Sequence, residues 1–257
     1  MNDKKINTSE NTKIETQEQP SGLAVFFGFD NLKSLAILIL AIFAFRWSVM
    51  SPYHVPTASM EPTIKIGDRL LANKLAYNLK LPFTDLVLVG WSTPRKGDIV
   101  VFRYPKDRDI DYVKRVVAVA GDEVELREDV LYVNGQEQTR LDHNNDRSIL
   151  DDTENPDVKR LFRENLAGKE HWVMQDEYAE KRFMRSRWPL DGRAHRVPSD
   201  SIFVMGDNRD NSNDSRAWGE VPLGDVRGKA IVVFWSVFSP HEGWPQIRLT
   251  RFGHWLQ

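Results

Sequence analysis

The sequence predicts a mostly β protein: an antiparallel, barrel-like β-domain with a β-rich insertion, preceded by one N-terminal transmembrane helix. Three observations support this class. Short runs rich in β-branched residues recur after residue 50. Gly-Asp pairs lie at the edges of several of these runs, where the two residue types favour turns. An uncharged apolar segment precedes them all. No fixed-period repeat is present, which favours turns between short strands over a repeat array.

The apolar segment Leu35–Phe45 is the basis for the predicted helix. It is shorter than the ~20 residues of an ordinary membrane span. A full span is obtained if Lys33 and Arg46 extend to the two membrane interfaces. A cleaved signal peptide and a buried core helix are the alternatives. The lysines of the preceding tail favour a cytoplasmic N terminus, because positive charge is enriched on that side.

Six short runs are predicted as strands of the β-domain: Arg69–Ala72, Asp98–Phe102, Tyr112–Val119, Val130–Val133, Ser201–Met205 and Ala230–Trp235. Asn134-Gly135 predicts a two-residue hairpin turn. His171–Met174 is a further predicted strand, within the insertion. The basic, amphipathic segment Ile247–Leu256 either lies against the bilayer interface or packs on the core.

The predicted organisation has four parts. These are a disordered polar tail (1–21), a membrane anchor (22–50, with the span at about 33–50), a catalytic β-domain (51–135 and 200–257) and an inserted peripheral module (136–199).

Composition limits the function classes. A net charge of −2 argues against a nucleic-acid partner bound by bulk electrostatics. The chain has no cysteine, which excludes disulfides, a thiol nucleophile and a Cys-ligated zinc site. We expect no cofactor and no metal.

Ser59 is the first candidate catalytic residue, in a segment that Pro56 and Pro62 restrict on both sides. Thr57 can direct its hydroxyl at the same substrate carbonyl. Together with the backbone N–H of Ser59 it would form an oxyanion hole. An ordinary turn with surface hydroxyls is the alternative interpretation.

Lys114 is the candidate base. A serine hydroxyl is a poor nucleophile until a base takes its proton, and a neutral lysine can be that base. With period-two alternation, Lys114 shares a face with Tyr112, Val116 and Ala118, and that face has no carboxylate. Burial there would lower the lysine pKa. A strand-end lysine that reaches water is the alternative. His54 is near Ser59 in sequence, but no orienting acid accompanies it.

A third run, Met205–Gly219, is dense in Asp, Asn, Ser and Arg directly after an apolar strand. Such residues make a hydrogen-bonded loop that can support the lysine. A calcium loop is the rival, because Asp207, Asp210, Asn211 and Asp214 offer oxygen donors. The run lacks the Asp-x-Asp-x-Asn-Gly register and the terminal glutamate of such loops, which argues against a metal.

Four blocks in order resemble bacterial type I signal peptidases, the leader peptidases of the Ser/Lys-dyad family. They are Pro56–Thr63, Gly67–Lys74, Tyr112–Asp122 and the Gly-Asp-Asn-Arg-Asp-Asn-Ser run from Gly206. The resemblance covers about 46–135 and 197–235, with a further match near 164–168. One block alone would be weak, but four in this order after an apolar segment are specific.

The resemblance implies a membrane-anchored serine endopeptidase that removes N-terminal signal peptides through an acyl-enzyme. It implies these roles: nucleophile Ser59, general base Lys114, oxyanion hydroxyl Thr57, lysine-orienting hydroxyl Ser212, and supporting ion pair Asp214 and Arg216. It also implies pockets for small side chains, lined by Val55, Pro56, Met60, Ile64, Tyr112 and Val113. The family often has Ser at position 57 and Gly at position 58; Thr57 keeps the hydroxyl.

The partners expected from the resemblance are secreted preproteins with small residues at P1 and P3, and the lipid bilayer. The catalytic domain would lie on the outer, periplasmic face of the bacterial inner membrane, with the N terminus cytoplasmic. Two alternatives remain. A self-cleaving Ser/Lys repressor-like protease would carry a DNA-binding domain, of which this N terminus shows no pattern. A non-enzymatic, membrane-anchored β-domain would not need Ser59 and Lys114 together.

Overall fold

The computed structural model describes residues 29–81, 84, 86–127, 129–145, 147–150, 153, 156–177, 193–238 and 244–256. The predicted polar tail, the start of the predicted anchor and much of the basic half of the insertion lie outside these residues. The chain divides into two units, Met1–Phe43 and Ala44–Gln257.

Helix α1 spans Phe29–Ser48, within the region predicted as the anchor. Nine of its described large apolar side chains are exposed: Leu32, Leu35, Ile37, Leu38, Ile39, Leu40, Ile42, Phe43 and Phe45. The sequence predicts a transmembrane helix here. Among the residues that the structure describes, however, no helix has both the length and the apolar character to cross a membrane.

The rest of the chain is mostly β, as predicted. The strands are β1 (Met50–His54), β2 (Asp68–Asn73), β3 (Asn78–Lys80), β4 (Val87–Gly90), β5 (Ile99–Tyr104), β6 (Asp107–Ala118), β7 (Glu123–Arg127), β8 (Val130–Val133), β9 (Gln136–Glu137), β10 (Arg140–Asp142), β11 (Lys159–Leu166), β12 (Lys169–Asp176), β13 (His195–Arg196), β14 (Ser201–Met205), β15 (Val221–Pro222), β16 (Val226–Phe238), β17 (Gln246–Ile247) and β18 (His254–Trp255). A short helix, α2, covers Ser215–Trp218.

The main sheet has nine strands, and its path runs β1-β2-β16-β5-β6-β14-β15, with β17 and β18 also paired to β16. Its ladders are antiparallel, which confirms the predicted sheet type. Each of the six predicted strands overlaps an observed strand, namely β2, β5, β6, β8, β14 and β16; Asp98 and Val119 lie just outside theirs. The predicted hairpin is also present: Asn134 and Gly135 have φ values of 53° and 72°, as a tight hairpin turn requires.

Residues 136–199 are divided among sheets. Strands β10, β11 and β12 form a three-stranded sheet of their own, and β12 contains the predicted strand His171–Met174. Strands β9 and β13 instead join β7 and β8 in a four-stranded sheet, and β3 pairs with β4 in a two-stranded one.

A core cluster packs beneath the turn that contains Ser59. It joins side chains that follow β1 to those of β2, β5, β6 and β16, and includes Val55, Met60 and Ile64. Gly67 lies at the start of β2 with φ +86°, and a Cβ there would come within 1.9 Å of the Val237 carbonyl oxygen. Leu256 is buried in the same cluster, whereas Ile247, Leu249, Phe252 and Trp255 of the same segment are exposed.

Candidate active site

Ser59 lies in a single 3₁₀ turn, Ala58–Met60, shortly after the edge strand β1. Ser59 is buried, with 8% of its surface exposed. Asn208, which is distant in sequence, binds the backbone of this turn. Its side-chain amide donates to the Ala58 carbonyl at 3.1 Å, and its backbone N–H donates to the Ser59 carbonyl at 3.2 Å. The Ser59 hydroxyl is therefore carried by a turn that is fixed through its backbone.

Lys114 lies on β6, opposite Val100 of β5. Its Nζ is 2.6 Å from Ser59 Oγ and donates a second hydrogen bond to the Val113 carbonyl at 2.9 Å. The residue is only 4% exposed. Burial lowers its pKa from 10.5 to about 8, although the negative charges of Asp214 and Asp207 oppose that shift. The structure thus brings together the two residues that the sequence singles out, in a setting that raises the neutral fraction of the amine.

Thr57 precedes the 3₁₀ turn in extended conformation and lines the cleft beside Ser59. Its Oγ1 lies 3.4 Å from Ser59 Oγ. His54 also lines this cleft but, within the described part of the chain, makes no hydrogen bond to Ser59. The nitrogen that contacts the serine hydroxyl is that of Lys114.

Asp214 and Arg216 form a buried, bidentate ion pair, with Nε–Oδ1 and Nη2–Oδ2 distances of 2.8 Å. Burial tends to raise the pKa of Asp214, but Arg216 and the hydrogen bonds to the carboxylate hold it below its ordinary value. The carboxylate also accepts from the Gly206 N–H at 2.9 Å. Ser212 is buried against Gly206, and no hydrogen bond joins its hydroxyl to Lys114 among the described residues.

A second buried ion pair lies on the other side of the same loop, and sequence reasoning missed it. Arg115, next to Lys114, pairs with Asp207 at 2.8 and 2.7 Å. Thr63 Oγ1 donates to the same carboxylate at 2.6 Å. Arg115 and Asp207 are each 1% exposed. The available sequence signal was a second charged residue, Arg115, beside Lys114 in the apolar half of β6.

The cleft at Ser59 and Lys114 has a volume of about 350 Å³. Four of the six predicted pocket residues line it: Val55, Pro56, Tyr112 and Val113. Met60 and Ile64 do not; both are fully buried in the core below. The lining residues that the sequence did not indicate are Tyr53, His54, Leu70, Val101, Ile110, Asp111, Asn211 and Asn213.

The three carboxylates of the 207–214 loop are engaged within the protein. Asp207 and Asp214 hold arginines, and Asp210 accepts from the Asp176 backbone at 2.8 Å. In the described ranges, no cluster of side chains has the composition of a metal site.

A buried serine–lysine pair at the end of an apolar cleft, on an antiparallel β-domain, defines a Ser/Lys-type serine hydrolase. The family described as signal peptidase, peptidase S26, matches residues 29–235. The chain belongs to this family and is a signal peptidase.

Curated relatives of this family are similar in sequence to most of the chain. A signal peptidase I from Pseudomonas fluorescens is 34% identical over 230 residues, which are 85% of this chain and 74% of the relative. One from Aquifex aeolicus is 34% identical over 229 residues, 79% of this chain and 82% of the relative. Among solved structures, a signal peptidase I from Enterococcus faecalis is 26% identical and covers 54% of this chain and 97% of its own, with a TM-score of 0.31.

Proposed function

We propose that this chain cleaves signal peptides from secreted preproteins with Ser59 as nucleophile and Lys114 as general base. The observation that carries the proposal is the 2.6 Å separation of Lys114 Nζ and Ser59 Oγ in a buried site. A lysine whose pKa is about 8 is neutral in roughly one molecule in ten at pH 7. The neutral amine is available often enough to accept the serine proton.

The reaction has two stages. Ser59 Oγ attacks the scissile carbonyl carbon while its proton passes to Lys114 Nζ. The C–N bond then breaks, the ammonium returns that proton to the leaving amine, and the signal peptide remains as an ester on Ser59. In the second stage neutral Lys114 takes a proton from water, and the resulting hydroxide attacks the ester carbon. The bond to Ser59 Oγ then breaks, and the Lys114 ammonium returns the proton to Oγ.

The oxyanion would be bound by the backbone N–H of Ser59 and the hydroxyl of Thr57. The 3.4 Å distance between the two hydroxyl oxygens supports this role, because both then face the same carbonyl. Asp214 and Arg216 would not contact the substrate. Their ion pair would fix the loop that follows β14, beside Lys114. For Ser212 we propose an orienting contact with Lys114 that forms when substrate is bound.

The substrate would lie extended along the edge of β1 and along the part of β6, up to Lys114, that β14 does not pair, as peptides commonly do at sheet edges. Val55, Pro56, Tyr112 and Val113 make the lining mostly apolar. We propose that this surface accepts small residues, alanine above all, at P1 and P3. Met60 and Ile64 would limit pocket depth from the core, without contacting the substrate.

We also propose that the apolar segment upstream of residue 51 attaches the enzyme to the plasma membrane, with the catalytic domain on the outer face. A helix that is apolar on all sides is stable in a large core or in lipid. The exposed leucines, isoleucines and phenylalanines of α1 therefore favour lipid as its surroundings. The test is protease treatment of intact spheroplasts. Digestion of the catalytic domain is expected; digestion only after lysis would contradict the outward orientation.

The catalytic assignment is tested with the full chain in detergent and a purified preprotein that has alanine at P1 and P3. Ser59→Ala and Lys114→Ala should each reduce the cleavage rate by at least ~10³-fold, because each removes one member of a unit. Ser92→Ala and Lys106→Ala are matched controls outside the cleft and should cleave normally. Normal cleavage by either site variant, with an unchanged melting temperature, would disprove the dyad.

A further inference from the structure

The aromatic ring of Tyr112 lies beside the candidate base on the same strand. Tyr112 and Lys114 are two positions apart on β6, so their side chains share one face of the sheet. Lys114 Nζ lies over the Tyr112 ring, 5.2 Å from its centroid. A cation within about 6 Å of a ring centroid is attracted by the negative face of the ring. The ring therefore favours the ammonium form of Lys114 over the neutral amine.

Neighbouring side chains fix the orientation of the Tyr112 ring. The ring stacks on that of Tyr104, with centroids 4.6 Å apart and planes inclined by 9°. Phe102 contacts it edge-on, with centroids 6.3 Å apart. The side chain of Asn213 hydrogen-bonds the Tyr112 hydroxyl. Rotation of the ring away from Lys114 would break these contacts.

The same aromatic cluster reaches the segment that follows β14. Trp218, the last residue of α2, packs against Tyr104 with ring centroids 5.6 Å apart and against Phe102 at 5.9 Å. Aromatic pairs of this kind stabilise a structure beyond the area that they bury. Trp218 lies two positions after Arg216 of the buried ion pair. The cluster therefore connects the Tyr112 ring to the segment that carries this arginine.

The charged groups near Lys114 do not replace the ring. Asp214 and Asp207 favour its ammonium form and Arg216 disfavours it. Each of the two carboxylates is itself paired with an arginine, Asp207 with Arg115 and Asp214 with Arg216. Among the described residues, the hydrogen bonds of the lysine Nζ go to a hydroxyl and a backbone carbonyl, not to a carboxylate. The other titratable groups that line the cleft are Tyr53, His54, Ser59 and Asp111.

We propose that the Tyr112 ring stabilises Lys114 as it accepts the proton of Ser59. Tyr104 and Trp218 are positioning residues, which hold the ring where it can act. The inference rests on the dyad of the proposed function, and it gives Tyr112 a role beyond lining the cleft. Because the ring acts on the lysine, it sets the strength of the base as well as the shape of the site.

Weakening the attraction of the ring should have opposite effects at low and at high pH. It lowers the pKa of Lys114 further, so more of the amine is neutral below about pH 8. It also makes the amine a weaker base, so proton transfer is slower once all of the amine is neutral. The acidic limb of the kcat/KM profile should therefore move to lower pH while its plateau falls.

The test places phenylalanine and its mono-, di- and trifluorinated analogues at position 112 of the full chain. Fluorine withdraws electrons from the ring, which weakens the attraction for a cation with little change in shape. The kcat/KM profile is measured in detergent with a preprotein, and its midpoint reports the pKa in the free enzyme, whatever the affinity for substrate.

The midpoint should fall stepwise across the fluorine series, by about one pH unit in total. The plateau should fall about threefold, as expected for a base one unit weaker when about half of the proton has been transferred. Tyr104→Leu removes the stacked ring and should move the midpoint in the same direction by about half as much. Tyr132→Leu is the matched control, because this tyrosine contacts Arg127 outside the cleft; its midpoint should stay unchanged.

A constant midpoint across the fluorine series, in an enzyme that still requires Lys114, would overturn the role of Tyr112 and leave the dyad intact. Cleavage by Lys114→Ala would instead overturn the dyad, and the role of Tyr112 with it. Thermal unfolding establishes that each variant is folded. The fluorinated rings keep the shape of phenylalanine, so the test does not depend on the folding of Tyr104→Leu.

Discussion

Two titratable residues close to Ser59 are governed by the same physical effect. Burial disfavours the charged form of any ionisable group. It therefore lowers the pKa of Lys114 to about 8 and raises the pKa of Glu61 from 4.5 to about 7. For Lys114 the shift serves the proposed chemistry, because it makes a base. Glu61 is 4% exposed, so its ionisation above neutral pH lowers the stability of the folded state.

The pH dependence of cleavage follows from Lys114. Because the neutral amine is the active form and its pKa is about 8, kcat/KM should rise about tenfold per pH unit below pH 8 and level off above it. The measurement is kcat/KM of the full chain against a preprotein between pH 5.5 and 10. His54→Ala should leave the profile unchanged. A profile that His54→Ala abolishes would contradict the role of Lys114.

Glu61 has a pH dependence that can be tested separately. Its pKa is higher in the folded than in the unfolded state, so its favourable contribution is complete below about pH 4.5 and is lost as pH rises through about 7. Glu61→Gln removes the buried charge. It should raise the free energy of unfolding by up to ~3 kcal/mol at pH 8.5 and change it little at pH 4.5. Urea unfolding at the two pH values measures this. The same change in unfolding free energy at pH 4.5 and pH 8.5 would contradict this role of Glu61. So would an equal change in the exposed control Glu123→Gln.

At the scale of elements, the sequence identified strands whose signals are local. The Asn134-Gly135 turn and the apolar runs of β5, β6 and β14 carry their pattern within a few residues. Strand β1 was missed, because Pro52 lies inside it and proline argues against a strand. The structure shows why proline is tolerated: β1 is an edge strand, and among the described strands it pairs only with β2.

The cleft lining was only partly predictable for the same reason. Tyr53 reaches the cleft from the missed strand, opposite Leu70 of β2. Leu70 has the pattern of an ordinary core residue, and only the pairing of β1 with β2 puts it beside the site. Met60 and Ile64 are the converse case. They lie close to Ser59 in sequence, but their side chains belong to the core cluster below the turn.

The loop after β14 depends on a close approach at Gly206. A Cβ there would lie 2.3 Å from both the Ser59 carbonyl oxygen and Ser212 Oγ. Gly206→Ala should therefore displace the Ser59 turn and lower kcat about 10²-fold, with a smaller change in KM. Steady-state cleavage kinetics measure both constants. Gly224→Ala is the matched control, because a Cβ at Gly224 meets nothing within 4 Å. Full activity of Gly206→Ala would show that the turn tolerates the shift.

At the scale of the molecule, the loop after β14 is held by the sheet β10–β12 as well as by the main sheet. Met174 of β12 donates its N–H to the Asp207 carbonyl at 2.8 Å. Glu164 of β11 pairs with Arg209 through two hydrogen bonds of 2.9 and 2.5 Å, and the pair is fully buried. Met174 and Asp207 are 33 positions apart in the chain, and Glu164 and Arg209 are 45 apart. No local sequence pattern could therefore reveal these contacts. The ion pair of Asp214 and Arg216, two positions apart, was accessible to sequence comparison.

The pair of Glu164 and Arg209 should therefore be a main connection between the insertion and the catalytic loop. Glu164→Gln leaves a buried guanidinium without its counter-charge. The free energy of unfolding should fall by about 3–5 kcal/mol. Glu170→Gln is the control on the adjacent strand, because Glu170 forms an exposed pair with Arg163 and should cost less than about 1 kcal/mol.

The pH dependence gives the connection a signature of its own. Arg209 and His171 hold the pKa of Glu164 well below its ordinary value despite burial. A lowered folded-state pKa means that the contribution is present above about pH 4.5 and is lost as pH falls further. The difference between wild type and Glu164→Gln should thus be largest at neutral pH and shrink below pH 4, as urea unfolding can measure. A constant difference across that range would mean that the carboxylate charge does not connect the insertion to the loop.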